Sequence, residues 1–125
     1  RGDDYAMYRG IEDPRFWLVP HDLDTILGHR SADLGRSIFT YYERVEGLNR
    51  LLNHPEIVRI YYSQFLDLID TVFAPEKFNP LIDHILGDWV PQSKINQMKQ
   101  FVVDRIGYVL DQIPQGPLTV SSNLP

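Results

Sequence analysis

Phe16-Trp17-Leu18-Val19-Pro20-His21-Asp22-Leu23-Asp24 is an apolar run that ends abruptly in two carboxylates one residue apart. Aromatic and β-branched residues in close succession predict a buried strand. An acid pair at the exit of such a strand is expected at the rim of a core, where hard metal ions are held. Upstream, Tyr5-Ala6-Met7-Tyr8 is a second short strand-like run, and the segment between the two, Arg9 to Arg15, contains Gly10 and Asp13-Pro14, both turn formers. The two runs are predicted to pair as an antiparallel hairpin over residues 5–20.

Beyond the acid pair the pattern changes. Thr25 to Ser37 has weak periodicity, with Gly28 and Gly35, and reads as a loop with at most a short helix. From about Ser37 the pattern is helical. Asn53-His54-Pro55-Glu56 reads as a helix start, with Asn53 as N-cap, proline in the first turn and Glu56 able to return a hydrogen bond. The helix it opens carries Ile57, Ile60, Tyr61, Phe65, Leu68, Ile69 and Val72 at three- and four-residue spacing, a stripe expected to face a core. Ala74-Pro75-Glu76 restarts a helix with apolar positions at Phe78, Leu81, Ile82, Ile85, Leu86 and Trp89, which Pro91 is expected to end. Ser93 is then expected to cap a run through Ile95, Met98, Phe101 and Val102, with Gly107 as a potential break before Tyr108, Val109, Leu110 and Ile113. The fold class that follows is mainly α with a short N-terminal β-hairpin.

The 125 residues, 43% hydrophobic, fit one domain able to bury roughly two thirds of its unfolded surface. Twelve Lys and Arg against 17 Asp and Glu, a net charge of -5, argue against nucleic acid as a partner, because counterion release needs clustered basic residues. No apolar run approaches the ~20 residues that cross a bilayer, and no signal-peptide pattern opens the chain. The absence of cysteine removes disulfides, thiolate zinc sites and cysteine nucleophiles. Both ends read as cut points, and Leu118-Thr119-Val120-Ser121-Ser122 reads as the first strand of a following domain. The expected division is one domain over 1–113 and a linker with the start of another over 114–125.

On an extended backbone Asp22 and Asp24 share a face, since strand side chains repeat every two residues. Two converging carboxylates repel unless a cation or a basic group neutralises them, and Mg²⁺ is commonly held by one or two carboxylates together with phosphates and water. The same residues admit a structural reading, in which Asp24 N-caps a turn at Thr25-Ile26-Leu27 and Asp22 pairs with an arginine. Asp3 and Asp4 precede the first strand, and antiparallel pairing would bring them toward Asp22 and Asp24. The alternative for these two is a solvated chain end. His21, His29, His54 and His84 include no i, i+4 pair, so a histidine zinc site is not expected. The Tyr41-Tyr42 and Tyr61-Tyr62 pairs are expected to pack against the core. There is no Walker sequence and no Gly-x-Ser-x-Gly elbow.

These residues resemble the C-terminal part of the CotH kinase-like family, named for a bacterial spore-coat protein. The family pattern is an aromatic hairpin reading roughly Asn-Asn-Tyr-x-Leu-Tyr, then a strand ending in Pro-Trp-Asp-x-Asp with a glycine a few residues on. Here Asp3-Asp4-Tyr5-Ala6-Met7-Tyr8 is followed by Pro20-His21-Asp22-Leu23-Asp24 and Gly28. The helical part is similar too, in Leu51-Leu52-Asn53-His54-Pro55-Glu56, in Leu68-Ile69-Asp70 through Phe73-Ala74-Pro75-Glu76, and in Leu81-Ile82-Asp83.

The resemblance implies the C-terminal-lobe portion of an atypical protein-kinase-like fold, using ATP and Mg²⁺ to phosphorylate serine or threonine on extracellular or cell-surface proteins. It implies Asp22 as the metal-binding Asp, Asp24 as an accessory ligand, and Asp3 or Asp4 in place of the family's Asn pair as a second metal ligand. The implied partners are a protein substrate or neighbouring domains of the same polypeptide. Two departures stand out. His21 replaces the usual Trp, and the family's catalytic Asp and ATP-clamping Lys would lie ahead of Arg1, so no catalytic residue is expected within this chain and activity is expected only of a longer parent. Mg²⁺ and ATP are cofactors of that parent, and their binding to this chain alone is expected to be absent or weak. Two other classes of function remain open from the sequence: a catalytically silent helical interaction module of a multidomain surface protein, and a small Ca²⁺-binding structural domain.

Overall fold

A computed structural model describes residues 5–21, 26–28, 34–40 and 42–115. Among the described residues two strands, β1 (Tyr5–Arg9) and β2 (Phe16–Pro20), lead through turns and a 3-10 turn at Tyr42–Arg44 to four α-helices: α1 (Glu46–Leu52), α2 (Pro55–Thr71), α3 (Pro75–Leu86) and α4 (Gln92–Gln112). The architecture is mainly helical with a two-stranded antiparallel hairpin, as the hydrophobic patterning predicts.

The strands pair in the register Tyr5 opposite Pro20, Met7 opposite Leu18 and Arg9 opposite Phe16. Asp13 organises the connection: its carboxylate accepts from the Arg15 backbone N–H at 3.0 Å and from the Arg15 guanidinium at 2.7 Å. That guanidinium lies 5.7 Å from the centre of the Trp17 ring, and the Arg9 guanidinium lies 6.0 Å from that of Phe16. The expectation of a buried strand fails. Trp17 is 55% exposed and Leu18 63%, and every residue of β2 is open to solvent. The reason is that successive side chains point to opposite faces, so burial needs a layer on each, and among the described residues the sheet is only this hairpin.

Helix boundaries differ from the sequence reading in three places. Asn53 does not cap α2; it closes α1, its side-chain amide donating to the Asn49 carbonyl at 2.8 Å and to Asn49 Oδ1 at 2.6 Å. The cap of α2 is His54, whose Nδ1 accepts from the Glu56 N–H, with Pro55 as the first helical residue. Next, α3 stops at Leu86, before Pro91 can act, because the Trp89 and Val90 N–H groups both turn back onto the Leu86 carbonyl. Then α4 begins after Pro91, whose carbonyl accepts from Lys94, leaving Ser93 inside the first turn rather than at the cap. Gly107 does not break α4; one glycine costs about 1 kcal/mol in a helix of this length, which the packed residues around it offset.

The core is built on α4. Ile95, Val102 and Val109 are buried, seven residues apart, so they stack along one face two turns at a time. Ile95 and Val102 pack with Phe78 and Ile82 of α3, whereas Val109 packs with Ile113 and Ile38 under Tyr61, Tyr62, Phe65 and Ile69 of α2. The Tyr61-Tyr62 pair therefore packs against the core, as expected; Tyr41 lies outside the described residues. Lys99 clasps Asp83 at 2.6 Å and pins α4 to α3. No residue of α2 is fully buried, and Ile60, Leu68 and Val72, expected in its core stripe, are exposed. Leu81 and Ile85 of α3, and Trp89 just beyond its end, are likewise exposed, although Phe78 and Ile82 of the same helix are buried.

Candidate functional site

The sequence places the candidate site at the open end of the hairpin, and the register defines that end. With Tyr5 opposite Pro20, the chain enters β1 and leaves β2 side by side. Asp3 and Asp4 immediately precede Tyr5, and His21, Asp22 and Asp24 follow Pro20. The four aspartates themselves lie outside the described residues. His21, the one described residue among them, is exposed. Among the described residues no group of three or more His, Cys, Asp or Glu side chains is arranged to hold a metal ion. The other described histidines serve elsewhere: His54 caps α2, and His84 is exposed on α3.

Past the acidic segment the chain meets the helices at Ile26, Leu27 and Gly28. Leu27 has φ 58° and Gly28 φ 84°, two successive left-handed residues. Gly28 is pressed against Phe101 of α4, and Leu27 packs against the Phe78–Ile82–Ile95–Val102 cluster. Both Ile26 and Leu27 line an apolar cavity of about 460 Å³ between α2 and α4, whose other walls include Phe65, Phe73, Phe101 and Ile106. Further on, Arg105 of α4 donates to the carbonyls of Leu34 and Arg36, so the same helix holds a second stretch of this connection. Sequence reasoning did not anticipate Phe101 as a contact of this loop; the only signal was the glycine at 28.

Electrostatically the described surface has two local features, both charge-assisted pairs. The Arg15 guanidinium beside Asp13 holds that carboxyl below the usual carboxylate range, and the Lys99 ammonium does the same for Asp83, assisted by Gln92. Both pairs are structural, one in the hairpin turn and one between helices. No described helix is long and apolar enough to cross a membrane.

The chain belongs to the CotH kinase family: the family model described as CotH kinase protein matches residues 1–108. No curated protein and no solved structure matches it.

Proposed function

We propose that this chain is the C-terminal-lobe portion of an atypical, CotH-like protein kinase that transfers phosphate from ATP to serine or threonine of a protein substrate in a Mg²⁺-dependent reaction. In this reading residues 1–113 belong to the kinase domain and 114–125 lead toward a following domain, while the catalytic Asp and the ATP-clamping Lys are supplied by preceding chain. The observation that carries the reading is the family match over residues 1–108, a stretch that includes all four candidate aspartates. The hairpin register supports it, because the segments bearing Asp3 and Asp4 and those bearing Asp22 and Asp24 attach to directly paired residues. The uncovered hairpin supports it as well: a strand apolar on both faces has the composition of the interior of a larger sheet.

The donor chemistry fits the ion. Mg²⁺ takes hard oxygen ligands and is usually bound by one or two carboxylates plus substrate phosphates. Mg-ATP, when bound, brings the transferable phosphoryl group together with the charge that neutralises it. The chain's contribution is to hold that charge in place: Asp22 as the principal ligand, Asp24 beside it, and Asp4 or Asp3 from the adjoining strand as a second ligand. Surface or extracellular protein substrates belong to the same proposal.

The test is Asp22→Ala in the longer protein. Loss of Mg-ATP-dependent phosphoryl transfer, with folding intact by circular dichroism, is the expected result. Unchanged turnover sinks the reading. It would leave the second one, a catalytically silent interaction module, which is favoured by the exposed Leu81, Ile85 and Trp89 at four-residue spacing.

A further inference from the structure

The turn at Leu27-Gly28 is held in a conformation that its sequence alone would not choose. A left-handed leucine crowds its Cβ against the following carbonyl, and such backbone persists only where its surroundings over-determine it. The surroundings here are α4 and the core. A Cβ placed on Gly28 would stand 2.8 Å from Phe101 Cδ2, 2.9 Å from Cγ and 3.1 Å from Cβ. The last of these atoms is fixed to the helix backbone, so rotating the ring does not make room. Leu27 meanwhile packs against the α3–α4 cluster. The backbone thus lies on α4 at a point only glycine fits, with a leucine beside it anchored in the core.

This contact has a particular place in the chain. Pro20 is held opposite Tyr5 in the hairpin, and Leu27-Gly28 is held on α4; Asp22 and Asp24 fall between those two points in sequence. We infer that Leu27, Gly28 and Phe101 form a positioning latch that fixes the downstream end of the acid-bearing segment to the helical body. The inference rests on the reading of Asp22 and Asp24 as cation ligands. The latch touches neither ion nor substrate and acts through those carboxylates. It matters because Mg²⁺ demands near-ideal octahedral geometry and tolerates little displacement of a ligand.

The experiment compares the full chain with Gly28→Ala, Phe101→Leu and a control, Gly107→Ala, on α4 where an added Cβ meets nothing within 4 Å. Two readouts are taken: amide hydrogen exchange by residue in this chain, and Mg²⁺ affinity by calorimetry of the same variants in the longer protein, because Mg²⁺ binding by this chain alone is expected to be absent or weak. Gly28→Ala and Phe101→Leu should speed exchange in residues 21–28 while protection in α4 is retained, and should weaken Mg²⁺ binding by about tenfold to a hundredfold, the range for groups that orient metal ligands. Gly107→Ala should do neither. Unchanged exchange in residues 21–28 of Gly28→Ala overturns the latch, as does faster exchange with undiminished Mg²⁺ affinity. Should Gly28→Ala unfold as a whole, Phe101→Leu decides by the same criteria. If the unaltered longer protein binds no Mg²⁺, the cation reading fails and with it the latch's proposed purpose, whatever exchange shows of the loop's anchoring.

Discussion

The Tyr61 hydroxyl of α2 donates to the Ile38 carbonyl at 2.6 Å, and the N–H of the same Ile38 donates to Gln112 Oε1 of α4 at 2.9 Å. Ile38 is therefore satisfied on both backbone groups by side chains from two helices, and its own side chain is buried between them. This single residue joins the segment before α1 to α2 and α4.

Tyr61→Phe should lower stability by about 1 kcal/mol, the net worth of one hydrogen bond whose acceptor is left partly buried. A urea titration at neutral pH checks it. Burial, and then the neighbouring Tyr62, push the Tyr61 hydroxyl above its ordinary value of 10.0. Its contribution is thus fully present below pH 10.0 and lost as pH rises through the higher folded value. Tyr61→Phe should remove that part of the alkaline dependence.

Ile95 is the one described side chain with no solvent exposure, and it packs between α3 and α4. Ile95→Ala should cost about 2–5 kcal/mol, transfer and cavity together. In a core of so few buried side chains the loss should abolish the cooperative thermal transition, as seen by differential scanning calorimetry. A loss near that of an exposed site such as Ile60→Ala would contradict the core described here.

The Asp83–Lys99 pair predicts an acid dependence. Its folded carboxyl lies below the ordinary 3.8, first because of the Lys99 hydrogen bond and then with help from Gln92. A depressed aspartate stabilises above its unfolded pKa and loses that contribution as pH falls from about 3.8 through the lower folded value. Asp83→Asn should flatten this part of the melting-temperature profile between pH ~5 and ~2 by lowering the melting temperature slightly at pH ~7, where the pair contributes, and hardly at pH ~2; the effect is small throughout because the carboxylate is solvent-exposed and screened. Equal acid sensitivity in the two proteins would remove the clasp as its cause.

The hairpin predicts association. Phe16, Trp17, Leu18 and Val19 are about half exposed or more, and a two-stranded sheet has unpaired edges. The chain on its own should self-associate with rising concentration, and Leu18→Lys should reduce that association without unfolding the helices. Sedimentation velocity across a concentration series measures it; a monomer at all concentrations would mean that the apolar faces are covered in solution.

Much of the local structure was legible in the residues. The two strands follow from Tyr5–Tyr8 and Phe16–Val19 flanking Gly10 and Asp13-Pro14, and the starts of α2 and α3 follow from Pro55 and Pro75. Family membership was legible too, because it rests on residues in a fixed order, from Tyr5 through Asp22 and Asp24 to the helical segments. The candidate aspartates come from that order and lie outside the described residues. Which apolar residues are buried was not legible. The spacing of Ile60 and Leu81 looks the same as that of Tyr61 and Ile82, yet only the latter of each pair faces the packed side.

Residue types and spacing by themselves determined the hairpin, the helical content and the family, since each depends on interactions within a few residues or on linear order. Tertiary structure alone decided that β2 lies open, that α4 carries both halves of the core, and that Gly28 sits where Phe101 admits no side chain. Those outcomes depend on which surfaces meet, and hydrophobic periodicity says that a face seeks cover without saying what covers it.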